Sequence, residues 1–69
     1  VIGNHNHIAI GAVVSGRCNI GNRCFIGAGA VIVDNISVCD NVILGAGSVV
    51  IQHITSAGTY VGNPARRVK

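Results

Sequence analysis

Taken six residues at a time from Ile2, the chain gives Ile8, Val14, Ile20, Ile26, Ile32, Val38, Leu44 and Val50, with no insertion or slip. All nine are branched aliphatics. A period of six fits neither a 3.6-residue helix nor a long alternating strand. It fits a strand of a few residues, a corner, and another such strand. The residue after each step is often small: Gly3, Ala9, Ser15, Gly21, Gly27 and Gly45, with Val33, Cys39 and Ile51 as exceptions. Four residues after each step the side chain is small or medium, as at Ala12, Cys18, Cys24, Ala30 and Ser48. Valine and isoleucine number 21 against one leucine and no methionine, which favours strands because β-branched side chains suit a pleated surface. Ten glycines and seven asparagines supply the residues that tolerate tight or left-handed turns.

At 69 residues and 7.0 kDa the chain is one small domain with a marginal core. With 49% hydrophobic residues it reads as globular although only 10% are charged. No apolar run reaches membrane-spanning length and no signal peptide is recognisable. The lack of methionine leads us to expect a processed chain or, better, the C-terminal part of a longer protein. The net charge of +3 is local: Arg17 and Arg23 offset Asp34 and Asp40, and the excess is Arg66, Arg67 and Lys69. Nucleic-acid binders usually spread basic charge over a face and interleave aromatics, whereas here there is one Phe and one Tyr. Nucleic acid is therefore not an expected partner; the basic tail suits a phosphorylated small molecule or a frayed end. Cys18, Cys24 and Cys39 are odd in number and lack C-x-x-C spacing, so they are read as small thiols in a reducing cytoplasm.

The aliphatic–small–x–x–small–x pattern resembles the hexapeptide repeat of the left-handed parallel β-helix. That resemblance implies an all-β, single-stranded left-handed β-helix of about three triangular coils, residues 2–19, 20–37 and 38–55, followed by a closing loop and basic tail over 56–69. Residues eighteen apart would then stack: Ile2, Ile20 and Val38; Ile8, Ile26 and Leu44; Val14, Ile32 and Val50. Small residues such as Ala12, Ala30 and Ser48 are expected at the corners. So short a stack is poorly stable alone, and hexapeptide families are typically trimers, so a homotrimer is expected.

Val61-Gly62-Asn63-Pro64-Ala65-Arg66 resembles the closing segment of acyl-CoA-dependent hexapeptide acyltransferases, with Pro64 and Ala65 turning over the last coil. Val1-Ile2-Gly3, His7-Ile8-Ala9, Phe25-Ile26-Gly27 and Ile43-Leu44-Gly45-Ala46-Gly47 together resemble the C-terminal domain of sialic-acid O-acetyltransferases and bacterial amino-sugar N-acetyltransferases. The resemblance implies acetyl-CoA as acyl donor and a sugar amine or hydroxyl as acceptor. It aligns His7 with a family histidine at the acyl-CoA site, and Ala28 and Ala46 with positions whose backbone lies against the cofactor. The general-base histidine, paired with Asp or Glu, would precede Val1, so no catalytic residue is assigned within the chain. Nothing carries over to His5. Arg66, Arg67 and Lys69 either approach the cofactor phosphates or form a solvated tail.

The chemistry fits those assignments. Acyl transfer from a thioester needs a base near neutral pKa and donors for the developing oxyanion, which backbone N–H groups of glycine-rich turns can supply. The alternative is a catalytically empty hexapeptide module, serving as a trimerisation scaffold or enzyme remnant, in which the glycines only make corners. Zinc, held between subunits by three histidines in γ-type carbonic anhydrases on this helix, is not expected. His5, His7 and His53 lack the His-x4-His spacing of that family.

Overall fold

The computed structural model describes residues 2–69; Val1 lies outside the described residues. Eight short strands follow the hexad rhythm, β1 (His7–Ile8), β2 (Val13–Val14), β3 (Asn19–Ile20), β4 (Phe25–Ile26), β5 (Val31–Ile32), β6 (Ser37–Val38), β7 (Val42–Leu44) and β8 (Val49–Val50), and two more, β9 (Gly58–Val61) and β10 (Arg66–Arg67), depart from it. They form three sheets, β1-β4-β7-β9-β10, β2-β5-β8 and β3-β6. His7 pairs with Phe25 and Phe25 with Ile43, Val13 with Val31 and Val31 with Val49, and Asn19 with Ser37, all in parallel. Successive partners are eighteen residues apart, so three hexads make one turn and each sheet is one side of a prism. The chain is a three-sided parallel β-helix of the left-handed class. Among the described residues no helix is long and apolar enough to cross a membrane.

The interior is the aliphatic column set. Ile26, Ile32 and Leu44 are fully buried, with Ile20, Val38 and Val50 nearly so. Each leg contributes a second inward residue two positions earlier, because alternate strand residues share a face. Cys24, Ala30, Ile36, Val42 and Ser48 fill those places, Ala30 and Ser48 at 0% exposure. This corrects the sequence-based placement of Ala30 and Ser48. The turns lie at residues 28–29 and 46–47, and these two small side chains are buried just past them. Ile2 and Ile8, at the lower end of the stack, stay 49% and 41% exposed.

Parallel pairing does not stop at residue 55, where the sequence reading separated coils from closing segment. β9 pairs with β7, but Val42 meets Gly58 and Leu44 meets Tyr60, sixteen residues apart rather than eighteen. The shortened leg is patched by a side chain: Ser37 N–H donates to His53 Nδ1 at 3.0 Å. The Tyr60 hydroxyl donates to the Ser56 carbonyl at 2.8 Å. The turn at residues 62–65, with a cis Asn63–Pro64 bond, lies over β8, where Val49 N–H donates to Gly62 O and Ala65 N–H to Val49 O. β10 then returns antiparallel to β9.

Candidate functional site

As far as Gly47, each leg ends in a two-residue corner whose second residue has a positive φ. The series is His5, Gly11, Arg17, Arg23, Gly29, Asn35, Asn41 and Gly47, with φ between 56° and 78°. It repeats every six residues, as the aliphatic ladder does. The left-handed region costs an L-residue about 1–2 kcal/mol, yet two of the three corner columns use side-chain-bearing residues there. Only the column between the β1-β4-β7 and β2-β5-β8 sides uses glycine throughout, at Gly11, Gly29 and Gly47.

Packing within the chain does not demand those glycines. A Cβ built on Gly29 or Gly47 meets no atom within 4 Å. At Gly27 the opposite holds: a Cβ would come within 2.7 Å of Ala46 N and Leu44 O, so the coil above forbids one. The corner residues before these glycines are Ile10, Ala28 and Ala46, all exposed. The coils are stitched together here by Gly29 N–H donating to Ile10 O at 3.2 Å and Gly47 N–H to Ala28 O at 2.9 Å. Gly27, Gly45, Ala30 and Ser48 N–H groups are likewise used within the coil. Among the described residues Ala28 and Ala46 N–H have no partner. In the two upper coils the donors left open at this corner therefore belong to the alanines rather than to the glycines that follow them, while in the lowest coil both Ile10 and Gly11 N–H are open.

The structure thus stacks Ala28 and Ala46 in one exposed column. His7 lies on the adjoining side, on β1, exposed, its ring stacked on Phe25 with centroids 4.8 Å apart and planes 9° from parallel. Ile10 follows three residues later in the same coil. His5 is an exposed corner residue on another edge, and His53 belongs to the shortened upper leg. Among the described residues no group of three or more His, Cys, Asp or Glu is placed to hold a metal ion. Arg66, Arg67 and Lys69 are exposed at the upper end, Arg67 Nε donating to Lys69 O at 3.0 Å. A cleft of about 270 Å³ opens there, lined by Val50, Ile54, Tyr60, Pro64 and Arg66 among others, but not by His7, Ala28 or Ala46. Elsewhere Asp34 pairs with Arg17 and raises the pKa of its guanidinium above the ordinary value. Sequence reasoning passed over Phe25 and Ile10. The eighteen-residue column Ile10, Ala28, Ala46 already carried the signal, one bulky residue above which two alanines stack.

The family described as bacterial transferase hexapeptide (six repeats) matches residues 1–34 and 17–52. Among solved structures, the chain is similar to the acetyltransferase domain of PglB from Neisseria gonorrhoeae in complex with acetyl coenzyme A. Identity there is 38% and the TM-score 0.88, over 91% of this chain and 31% of that one. A maltose O-acetyltransferase from Clostridium difficile is 44% identical, TM-score 0.72, over 75% of this chain and 28% of that one. PerB from Caulobacter crescentus, in complex with CoA and GDP-perosamine, is 27% identical, TM-score 0.82, over 86% and 28%. The chain thus spans about a third of the length of these proteins. Comparison with curated proteins by sequence finds no match.

Proposed function

The chain belongs to the bacterial transferase hexapeptide family, and from that premise we propose that it is the coenzyme A-binding part of an acetyl-CoA-dependent acyltransferase. The acceptor would be an amine or hydroxyl of a sugar or sugar nucleotide, in line with the acetyltransferases it resembles. The observation that carries the reading is the glycine corner. It is bare where the coil would accept side chains, and it keeps amide donors unused. A long, thin pantetheine arm bearing amide carbonyls suits such a track, with Ala28 and Ala46 N–H as donors. The basic tail at the upper end supports placing the phosphates there, and His7 in the lowest coil supports placing the thioester beside it.

In this arrangement His7 lies against the acyl end. The proton of the attacking group needs a base; the resemblance places that general-base histidine ahead of Val1. Acetyl-CoA, when bound, supplies the activated thioester; the chain's residues hold and orient it.

A convex corner cannot enclose a ligand by itself, whereas ligand sites usually bury most of the ligand surface. A second wall from another copy completes the groove, and a homotrimer provides three such walls. Exposed apolar side chains support this assembly: Val13 is 50% exposed, Phe25 44% and Ile43 48%. Cysteines that lack the spacing of a disulfide framework support a cytoplasmic setting.

The test is a calorimetric titration of the assembled protein with coenzyme A, wild type beside Gly47→Asn. Asparagine already holds the left-handed conformation at Asn35 and Asn41, so the variant should fold. Expected is binding by wild type and at least about tenfold weaker binding by Gly47→Asn, a side chain now standing in the track. Absence of binding at millimolar ligand by a confirmed trimer favours the empty scaffold. Binding indifferent to Gly47→Asn moves the track elsewhere.

A further inference from the structure

Ile10 is 93% exposed, far beyond the other exposed large hydrophobics, the next of which is Val68 at 56%. Burying such a side chain is normally favourable, and nothing in the coil covers this one. Its place is specific. Gly29 N–H donates to Ile10 O and Gly47 N–H to Ala28 O, so Ile10, Ala28 and Ala46 form one hydrogen-bonded corner column. Two coils carry a methyl at this position and the lowest carries a sec-butyl group. The column is therefore a low track for two layers that ends against a ridge.

We propose that Ile10 is the end wall of the acyl site and sets the length of acyl chain that the donor can carry. The inference rests on the cofactor track proposed above. With phosphates at the basic upper end, the arm descends past Ala46 and Ala28 and brings its thioester to the lowest coil, between His7 and Ile10 on the same leg and corner. An acetyl group stops short of the Ile10 side chain. A longer acyl chain extending along the column runs into its branched β-carbon, which has few ways to move aside. The same side chain gives the acetyl methyl an apolar contact, and the bound ligand covers the isoleucine.

The experiment compares coenzyme A, acetyl-CoA, butyryl-CoA and hexanoyl-CoA in calorimetric titrations of the assembled wild type, Ile10→Ala and Ile10→Val. Because Ile10 makes no core contact, both variants should keep the wild-type melting temperature. Expected is butyryl- and hexanoyl-CoA binding to wild type about tenfold more weakly than acetyl-CoA, the scale of an overpacked contact. Ile10→Ala should erase that difference, Ile10→Val should fall between, and coenzyme A itself should bind all three equally. Equal binding of all acyl-CoAs by wild type, or a chain-length preference unchanged in Ile10→Ala, overturns the end wall while leaving the track intact. Failure of coenzyme A itself to bind wild type overturns the track and the wall together.

Discussion

Two edges of the same prism solve the same corner in opposite ways. At the edge carrying Asn4–His5, Asn22–Arg23 and Asp40–Asn41, side chains close the backbone. Asn22 Oδ1 accepts from Asn4 N–H and Asp40 Oδ1 from Asn22 N–H, each at 2.7 Å, and Arg23 Nε donates to Asn41 Oδ1 at 3.1 Å. At the edge carrying Ile10–Gly11, Ala28–Gly29 and Ala46–Gly47, no side chain among the described residues closes the backbone, and the amides of Ile10, Gly11, Ala28 and Ala46 stay open. Both edges hold the same left-handed residue at the same period. The first edge shows that the fold tolerates, and uses, functional groups at its corners. The bareness of the second is therefore a property of that edge and not of the coil, and it is the edge at which we propose that the cofactor binds.

The comparison depends on both edges hanging from one interior, and the largest expected effect removes that interior. Ile26 is fully buried between Ile8 and Leu44 in the column. Ile26→Asp buries a carboxylate with no partner and should cost about 3–5 kcal/mol, enough to unfold so small a domain. Circular dichroism melts should show no cooperative transition, with both edges lost together. A folded variant with one edge disordered would mean the edges are independent units.

Next in size is removal of a cap at the polar edge. Asp40→Ala leaves Asn22 N–H without its acceptor and should destabilise by about 1 kcal/mol, the scale of a lost side-chain cap. Ala46→Ser at the bare edge removes no cap and should stay within about half a kcal/mol of wild type. Chemical denaturation of the two variants side by side decides it. Equal losses would show that the bare edge is stabilised by contacts the geometry does not reveal.

The edges also differ in how legible they were. The interior columns and the glycine turns could be read from spacing alone, because burial forces a strict alphabet of branched aliphatics and close coil approach forces Gly27. The polar edge could not be read so directly. Arg23 and His5 are poor sequence markers of left-handed backbone, and their conformation is imposed by the stack rather than by propensity. The sixteen-residue register of the last layer was equally hidden. It depends on His53 lending a ring nitrogen where a shortened leg no longer aligns a carbonyl with Ser37 N–H. Ala28 and Ala46 could be named in advance only through resemblance; that they own free amides follows from the hydrogen bonds of their neighbours.

The smallest expected effect lies just inside the bare edge. Ser48 is fully buried, and among the described residues its hydroxyl has no hydrogen-bond partner. The same column position carries Ala12 and Ala30 in the coils below, so volume alone would be met by alanine. Burying an unpaired hydroxyl is unfavourable by about 1–3 kcal/mol, and replacement by a smaller apolar group offsets part of that by losing a few contacts. Ser48→Ala should therefore be neutral or stabilise by up to about 1 kcal/mol, read as an equal or higher denaturation midpoint with an unchanged slope. A clear destabilisation would show that the hydroxyl meets a partner in solution, such as a bound water beneath Gly45 and Gly47. The bare edge would then be braced from within, and its openness to solvent would owe less to the absence of side chains than the contrast with the polar edge implies.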